Sequence, residues 1–305
     1  MVERTRKRNV LVTGGSGFVM TSVCESLRDG GINVVAPSSR DLDFTDINNV
    51  REYIKRTGCK VFVHAGAYTD VRKARSNFKE VRRVNGEGTK NVAIACEEKD
   101  VMLVETSTNF VFSGNCRDRE QYMKDSIYVG YGEDSRTPES FTSIEIGDYA
   151  SSKLLAEMYA KKYCSKLAIL RQGYPLGRWD EKDYIFKLIK TANAGYGLFS
   201  DQFINPADLF DVANVMKEVI THQYCGIFHM GSRDITTPYE MGKYAVEKMG
   251  LQLEVKKGSC EEYLMNPKNE VIPQYAVLNT TETQRRLGLE FRSWRESVDC
   301  YLGLS

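Results

Sequence analysis

Short apolar runs rich in β-branched residues recur at Val10–Thr13, Ile32–Ala36, Val61–His64, Val101–Glu105 and Leu167–Leu170, and amphipathic stretches separate most of them. This alternation predicts a parallel sheet covered by helices. Strands buried on both faces have no wet side, which accounts for runs that do not alternate with polar residues. One covering helix is legible where Val81, Val84, Gly88, Val92 and Ala95 fall at helical spacing, with Lys79, Arg82, Arg83, Lys90 and Glu98 on the outer face. From about residue 172 the regularity weakens, with helical patterns at Lys182–Ala194, Ala207–His222 and Thr237–Gly250.

The 305 residues, 42% of them apolar, can fill the core of one large α/β unit with a smaller appendage. Forty-two basic residues against forty-one acidic ones give no electrostatic reason to expect nucleic acid or a membrane surface as partner. The eight cysteines are scattered, with no C-x-x-C pair and only three histidines, so no metal site is expected and the thiols read as reduced. No run approaches the roughly 18 apolar residues of a membrane span, and the start MVERTRKRNV lacks the apolar stretch of a signal peptide. A cytoplasmic protein is expected. The basic cluster Arg4 to Arg8 reads as a solvated lead into the first strand. The stretch Gly114 to Ser140 is polar, rich in charge and tyrosine, and too long for an ordinary connection.

The first strand runs into a glycine-rich turn and then a helix, VLVTGGSGFVMTSVCESL. Gly14, Gly15 and Gly17 stand where a dinucleotide fingerprint belongs, and the amides of Gly14, Ser16, Gly17, Phe18 and Val19 are candidates to face a pyrophosphate. The third small position of the G-x-x-G-x-x-G spacing holds Met20, which must push the helix outward or find a gap. The expected fold is therefore a Rossmann-type doubly wound sheet over residues 1–171, with a later returning segment near 207–231 and a mainly substrate-binding lobe over 172–305. Roughly twenty residues beyond the loop, where a carboxylate would bind the ribose of NAD, stand Ser38, Ser39 and Arg40, with Asp43 close by. Hydroxyls and a guanidinium suit a 2′-phosphate and favour NADP, while Asp41 keeps NAD open.

Reduction of a carbonyl by hydride needs a proton donor, and a tyrosine serves if a nearby cation lowers its pKa. Tyr149 and Lys153 are four apart on one helix face, as are Tyr239/Lys243 and Tyr244/Lys248. Context separates them. The latter two lie in one late amphipathic helix, whereas Tyr149 follows the strand VMLVETSTNFVF, whose carboxyl end carries Ser107 and Thr108. Ligands gather at such strand ends, so Thr108, with Ser107 as competitor, can meet the same substrate oxygen as Tyr149.

These residues resemble the extended short-chain dehydrogenases, and within them the dTDP-4-dehydrorhamnose reductases. HAGAYTDVRKARSNFKEVRRVNGEGTKNVA is similar to that family's third-strand motif and following helix, with Ala65, Gly66 and Ala67 along the cofactor and Asn85 at the structural asparagine. STNFVFSG resembles the stretch with the catalytic Thr, YASSKLLAE the Tyr and Lys segment, DQFINPADLFDVANVM the substrate-side segment, and LNTTETQRRLGLEFRSWRESV the C-terminal helix and tail. The resemblance implies NADPH-dependent reduction of the 4-keto group of a nucleotide-linked 4-keto-6-deoxy sugar. Tyr149 is then the acid, Lys153 tunes it and holds the nicotinamide ribose, and Thr108 orients the keto oxygen. Ser107, Asn109, Asp201, Gln202 and Phe203 are substrate-contact candidates, with capping or packing as the other reading of the last three. A homodimer is implied as well. Two departures stand out, Met20 and a longer Thr108 to Tyr149 interval with inserted residues around Cys116 to Tyr131. A 4-epimerase, or an NADP-binding regulatory subunit like the β subunit of methionine adenosyltransferase, would share many of these motifs.

Overall fold

The computed structural model describes residues 9–303, apart from residues 113, 115–122, 125–126, 129, 136, 138–142 and 179. The cluster Arg4 to Arg8 and most of the stretch Cys116 to Tyr131 lie outside the described residues.

The main sheet consists of β1 (Asn9–Thr13), β2 (Asn33–Val35), β3 (Val61–His64), β4 (Met102–Thr108), β5 (Leu167–Gln172) and β6 (Gly226–Met230). They lie in the order β2-β1-β3-β4-β5-β6 and every pairing is parallel. The chain leaves β1 in one direction for β2 and returns on the other side for β3. A crevice therefore opens beyond the carboxyl ends of β1 and β3, the switch point at which open α/β sheets take ligands.

Alternate side chains of each strand enter two cores. Val10, Val12, Val61, Val63, Val104, Leu170 and Phe228 pack with Val23 and Leu27 of α1 (Phe18–Asp29) and with Val212, Val215 and Val219 from a late helix, Leu209–His222. Leu11, Phe62, Leu103 and Ile169 face the other way, against α2 (Ile47–Thr57), α3 (Gly88–Glu98) and α4 (Ser143–Tyr163). Full burial of one such side chain contributes roughly 1.5–3 kcal/mol. Local chemistry sets the helix ends: Asp46 accepts from the Asn48 amide at the start of α2, and Gly58, at φ +56°, closes its end. Met20 is 3% exposed and fills space in the first core, so this flexible side chain has found its gap.

The helix over Val81 to Ala95 departs from the regular spacing. Residues Arg82–Glu87 form a π turn between a short helix, Phe78–Val81, and α3. The i→i+5 pattern of that turn brings in Asn85 and Gly86, which are buried, while Val84 is only partly buried.

Beyond β5, β6 joins the edge of the same sheet and the helix Leu209–His222 packs against its face, while two short parallel pairs stand apart from it. These are Leu198–Phe199 with Lys257–Gly258, and Phe203–Ile204 with Tyr275–Ala276. No helix among the described residues is long and apolar enough to cross a membrane.

Candidate active site

The glycine loop is shaped by close approach to β3. Gly14 has φ +68°, and a Cβ there would lie 2.6 Å from the Ala65 carbonyl oxygen. A Cβ on Gly15 would meet the Ala36 side chain at 2.7 Å. The helices Ile47–Thr57, Tyr184–Asn193, Leu209–His222, Pro238–Lys248 and Trp294–Tyr301 begin at residues whose side chains cap them. α1 begins at Gly17 with no side-chain cap, so its first amides, including those of Phe18 and Val19, are left for an external acceptor. This cradle of glycines and uncapped amides fits a dinucleotide pyrophosphate. Ser16 is exposed at its rim. In the loop that follows β2, Arg40 is exposed and has no ion-pair partner among the described residues, so it is free to meet a phosphate. The Ser38 hydroxyl donates to Asp41 at 2.6 Å, which engages the carboxylate that kept NAD open. Ser39 is exposed beside them, and Asp43 accepts from the Thr45 amide and hydroxyl, closing its own turn.

Tyr149 and Lys153 stand near the start of α4, immediately after a kink at Gly147, whose φ is +80°. The kink aims the first turn of the true helix at the sheet, and the Ser151 hydroxyl ties it by donating to the Gly147 carbonyl at 2.8 Å. Asn85, turned inward by the π turn, accepts from the Tyr68 amide at 2.7 Å and donates to the Tyr68 carbonyl at 3.1 Å and to the Ser152 hydroxyl at 2.8 Å. It thereby links the segment after β3 to the helix that carries the pair.

The Lys153 ammonium donates to Glu105 Oε1 at 2.8 Å, and the two side chains are 5% and 0% exposed. Burial pushes the Glu105 carboxyl up, to about 7, more than Lys153 pulls it down. Burial opposes the Lys153 charge, but Glu105 and Tyr149 outweigh it and hold the ammonium above the usual lysine value. For Tyr149, burial raises the pKa, Lys153 lowers it and Glu105 raises it again, with a net upward shift.

Glu105 belongs to a polar layer at the carboxyl end of the sheet, on the α4 side. Register places His64 beside Thr13 and Glu105, and Arg171 beside Ser107 and His229. The Thr13 hydroxyl receives the Ala65 and Gly66 amides, so its own proton goes to His64 Nδ1 at 2.7 Å. The imidazole proton therefore sits on Nε2, and burial holds its pKa down to about 3. His64 Nε2 and Glu105 Oε2 are both buried without a protein partner. Ser107 donates to Glu157 Oε1 at 2.6 Å, and Arg171 grips both Glu157 oxygens at 2.8 and 2.7 Å. The Ser107 hydroxyl is thus committed to the helix side. The Thr108 hydroxyl accepts from the Phe110 amide at 3.2 Å and donates to Asn109 Oδ1 at 3.3 Å.

Tyr149 lines a cavity of about 340 Å3 together with Phe110, Asp148, Arg75 and the segment that includes Leu264, Asn269, Glu270 and Val271. Phe110 meets Tyr149 edge-on, with ring centroids 6.3 Å apart. The two rival Tyr/Lys spacings are occupied elsewhere: Tyr244 donates to Asp299 and Lys248 pairs with the same carboxylate, while Lys257 lies over the Tyr239 ring.

The sequence profile described as the RmlD substrate binding domain matches residues 8–303. The chain belongs to the RmlD substrate-binding domain family. Spore coat polysaccharide biosynthesis protein SpsK of Bacillus subtilis is 25% identical over 295 residues, 96% of either chain. The probable low-salt glycan biosynthesis reductase Agl14 of Haloferax volcanii is 26% identical over 293 residues, 91% of either chain. A dTDP-4-dehydrorhamnose reductase from Bacillus anthracis, solved in complex with NADP, superimposes with a TM-score of 0.84 at 21% identity. That likeness spans 98% of this chain and 100% of the other, and it shows a common fold.

In this RmlD-family chain the remaining candidates divide by what holds them. Gly66 and Ala67 follow β3 beside the glycine loop, and a Cβ on Gly66 would strike the Phe44 ring at 2.5 Å. Asp201 accepts from the Ser259 hydroxyl and from the Cys260 and Glu261 amides, so its carboxylate caps the helix Cys260–Met265. Gln202 is buried and donates to the Pro273 carbonyl at 2.8 Å, and Phe203 lies in the short strand beside Tyr275. Asn109 is buried and donates to the Ala276 carbonyl at 2.8 Å. Gln202, Phe203 and Asn109 brace the segment around Pro273–Ala276. Glu105, His64, Phe110 and Arg75 are missing from the residues picked out of the sequence. A charged residue inside the apolar strand VMLVETST is the signal that points to Glu105.

Proposed function

We propose that this chain reduces the 4-keto group of a nucleotide-linked 4-keto-6-deoxy sugar with NADPH, as the dTDP-4-dehydrorhamnose reductases do. The observation that carries the reading is the tyrosine facing a cavity of about 340 Å3 with the Lys153 ammonium buried behind it. The dinucleotide, when bound, supplies the hydride. Uncapped amides at Phe18 and Val19 receive the pyrophosphate, the Gly17 amide being bound to the Gly14 carbonyl at 2.8 Å, and Arg40 meets the 2′-phosphate. Lys153 has three N–H donors and gives one to Glu105, which leaves two for the nicotinamide ribose hydroxyls. Tyr149 donates its phenolic proton to the oxygen of the carbonyl as that oxygen gains charge, and Thr108 holds the same oxygen in line. Lys153 stabilises the phenolate that results. The apolar walls given by Phe110 and Val271 exclude water from that proton transfer. A cytoplasmic homodimer completes the reading, and sedimentation of the purified protein tests its second half.

The experiment is a screen of NADPH oxidation against dTDP-, UDP- and GDP-linked 4-keto-6-deoxy sugars, with Tyr149→Phe alongside. Loss of the acid should lower turnover by about 100-fold or more while NADPH still binds. Wild-type turnover in Tyr149→Phe would remove the acid assignment. Stoichiometric retained NAD with no NADPH consumption would point to epimerisation. Copurification with a larger synthetase subunit, with no keto sugar reduced, would point to a regulatory role.

A further inference from the structure

A proton donor to a carbonyl and a proton acceptor from an alcohol can be built from the same tyrosine and lysine. What distinguishes them is the charge the tyrosine feels. A cation lowers the tyrosine pKa, and a carboxylate on that cation limits how far it falls, so that the phenol still carries its proton when the carbonyl arrives.

Here the ammonium is neutralised from below. β4 delivers Glu105 to the face under α4, where it meets Lys153 at 2.8 Å out of contact with water. The other groups facing this pair do not supply that charge. His64, its neighbour on β3, is kept neutral with its proton on Nε2. Glu157, one turn along α4 from Lys153, is spent on Arg171 of β5 and on Ser107. Tyr149 itself completes the set. Glu105 is thus the one carboxylate among the described residues in direct contact with the Lys153 ammonium.

We propose that Glu105 is a positioning residue that acts through Lys153: it pins the ammonium beneath Tyr149 and offsets its charge there, fitting the pair to give a proton to a carbonyl. This deepens the reading of Tyr149 as the acid and rests on it. In the step concerned, hydride from the reduced nicotinamide forms the new C–H bond as the carbonyl π bond breaks. The electron pair left on oxygen takes the Tyr149 proton, and the phenolate is later reprotonated from solvent. Burial and Glu105 both act to raise the Tyr149 pKa, against Lys153, which agrees with this arrangement.

The test titrates Tyr149 without cofactor or substrate, as the tyrosinate absorbance of each protein minus that of its Tyr149→Phe counterpart. In Glu105→Gln the titration should move down by about one pH unit or more, since a neutral amide no longer offsets the ammonium. The alkaline limb of the reduction rate should move with it. Glu105→Asp keeps the charge but shortens the reach, and should fall between wild type and Gln. It also serves alone if Glu105→Gln does not fold. A folded variant of either kind that titrates with the wild type overturns the proposal. That failure is distinct from failure of the acid reading, which shows as full turnover in Tyr149→Phe.

Discussion

Arg171 closes a two-point ion pair on Glu157 at 2.8 and 2.7 Å, with both side chains 1% exposed. The same carboxylate takes the Ser107 hydroxyl, and the remaining guanidinium nitrogen reaches His229 Nε2 at 3.4 Å. Burial works against ionisation of Glu157, yet the Arg171 fork prevails and holds its pKa below the usual value. Removing one partner leaves the other charge buried and alone. Arg171→Met should therefore cost about 3–5 kcal/mol, and the double change Arg171→Met with Glu157→Leu should recover much of it. Urea unfolding of the three proteins checks this. A double variant no more stable than the single one would contradict it.

His229 supplies an acid-sensitive element. Its Nδ1 faces the Asn279 carbonyl at 3.3 Å and its Nε2 faces Arg171, so only the neutral ring fits. Burial, then Arg171, lowers its pKa from 6.5 to about 3. A depressed folded-state pKa gives stability that is complete above pH 6.5 and is lost as the pH falls towards 3. The loss is about 1.4 kcal/mol per pH unit for one such group. His229→Gln should show a shallower fall in unfolding free energy between pH 6.5 and 4.5 than wild type, by about 1.4 kcal/mol per unit. Parallel curves would mean that the histidine is not buried neutral.

Arg40 should decide cofactor choice. Its guanidinium is exposed and unpaired among the described residues, beside an Asp41 already engaged by Ser38. Loss of one charge-assisted contact of about 1.5–3 kcal/mol raises the dissociation constant for NADPH by roughly 10- to 100-fold. Arg40→Ala should do so while leaving NADH binding unchanged. An equal loss for both would place Arg40 outside the 2′-phosphate site.

Gly14 and Gly31 form a matched pair of controls. Both have positive φ, +68° and +80°, but a Cβ on Gly31 meets nothing within 4 Å, whereas one on Gly14 strikes the Ala65 carbonyl. Gly31→Ala should cost about 1–3 kcal/mol of backbone strain and leave NADP binding intact. Gly14→Ala should add displacement of the loop from β3 and weaken NADP binding by about tenfold or more, read by nucleotide fluorescence titration.

The central strands are legible because they are buried on both faces, so that Val10–Thr13 and Val61–His64 stand out as apolar runs. The apolar run of β4 stops at Glu105, while VMLVETSTNFVF places Ser107 and Thr108 at the strand's carboxyl end; what the pattern does not show is that Lys153 and Glu157 on α4 make a buried carboxylate and a buried serine acceptable there. Helical spacing likewise puts Val84 inside, and the π turn substitutes Asn85, whose amide has Tyr68 and Ser152 to bind. Asp201 could not be assigned from spacing, since the amides it caps are 59 and 60 residues away. Tyr149 was separable from Tyr239 and Tyr244 only by its place after the Thr108 strand, and the partners that occupy the other two are tertiary.

The π turn at Arg82–Glu87 lets one continuous rod of chain keep two phases. Beyond it, Val92 and Ala95 follow the beat of the sheet beneath them, and within it Asn85 follows that of Tyr68 and Ser152. A chain one residue shorter at this point would be a better helix and a worse joint. It could satisfy the core or the joint to α4, and the surplus residue is what allows both.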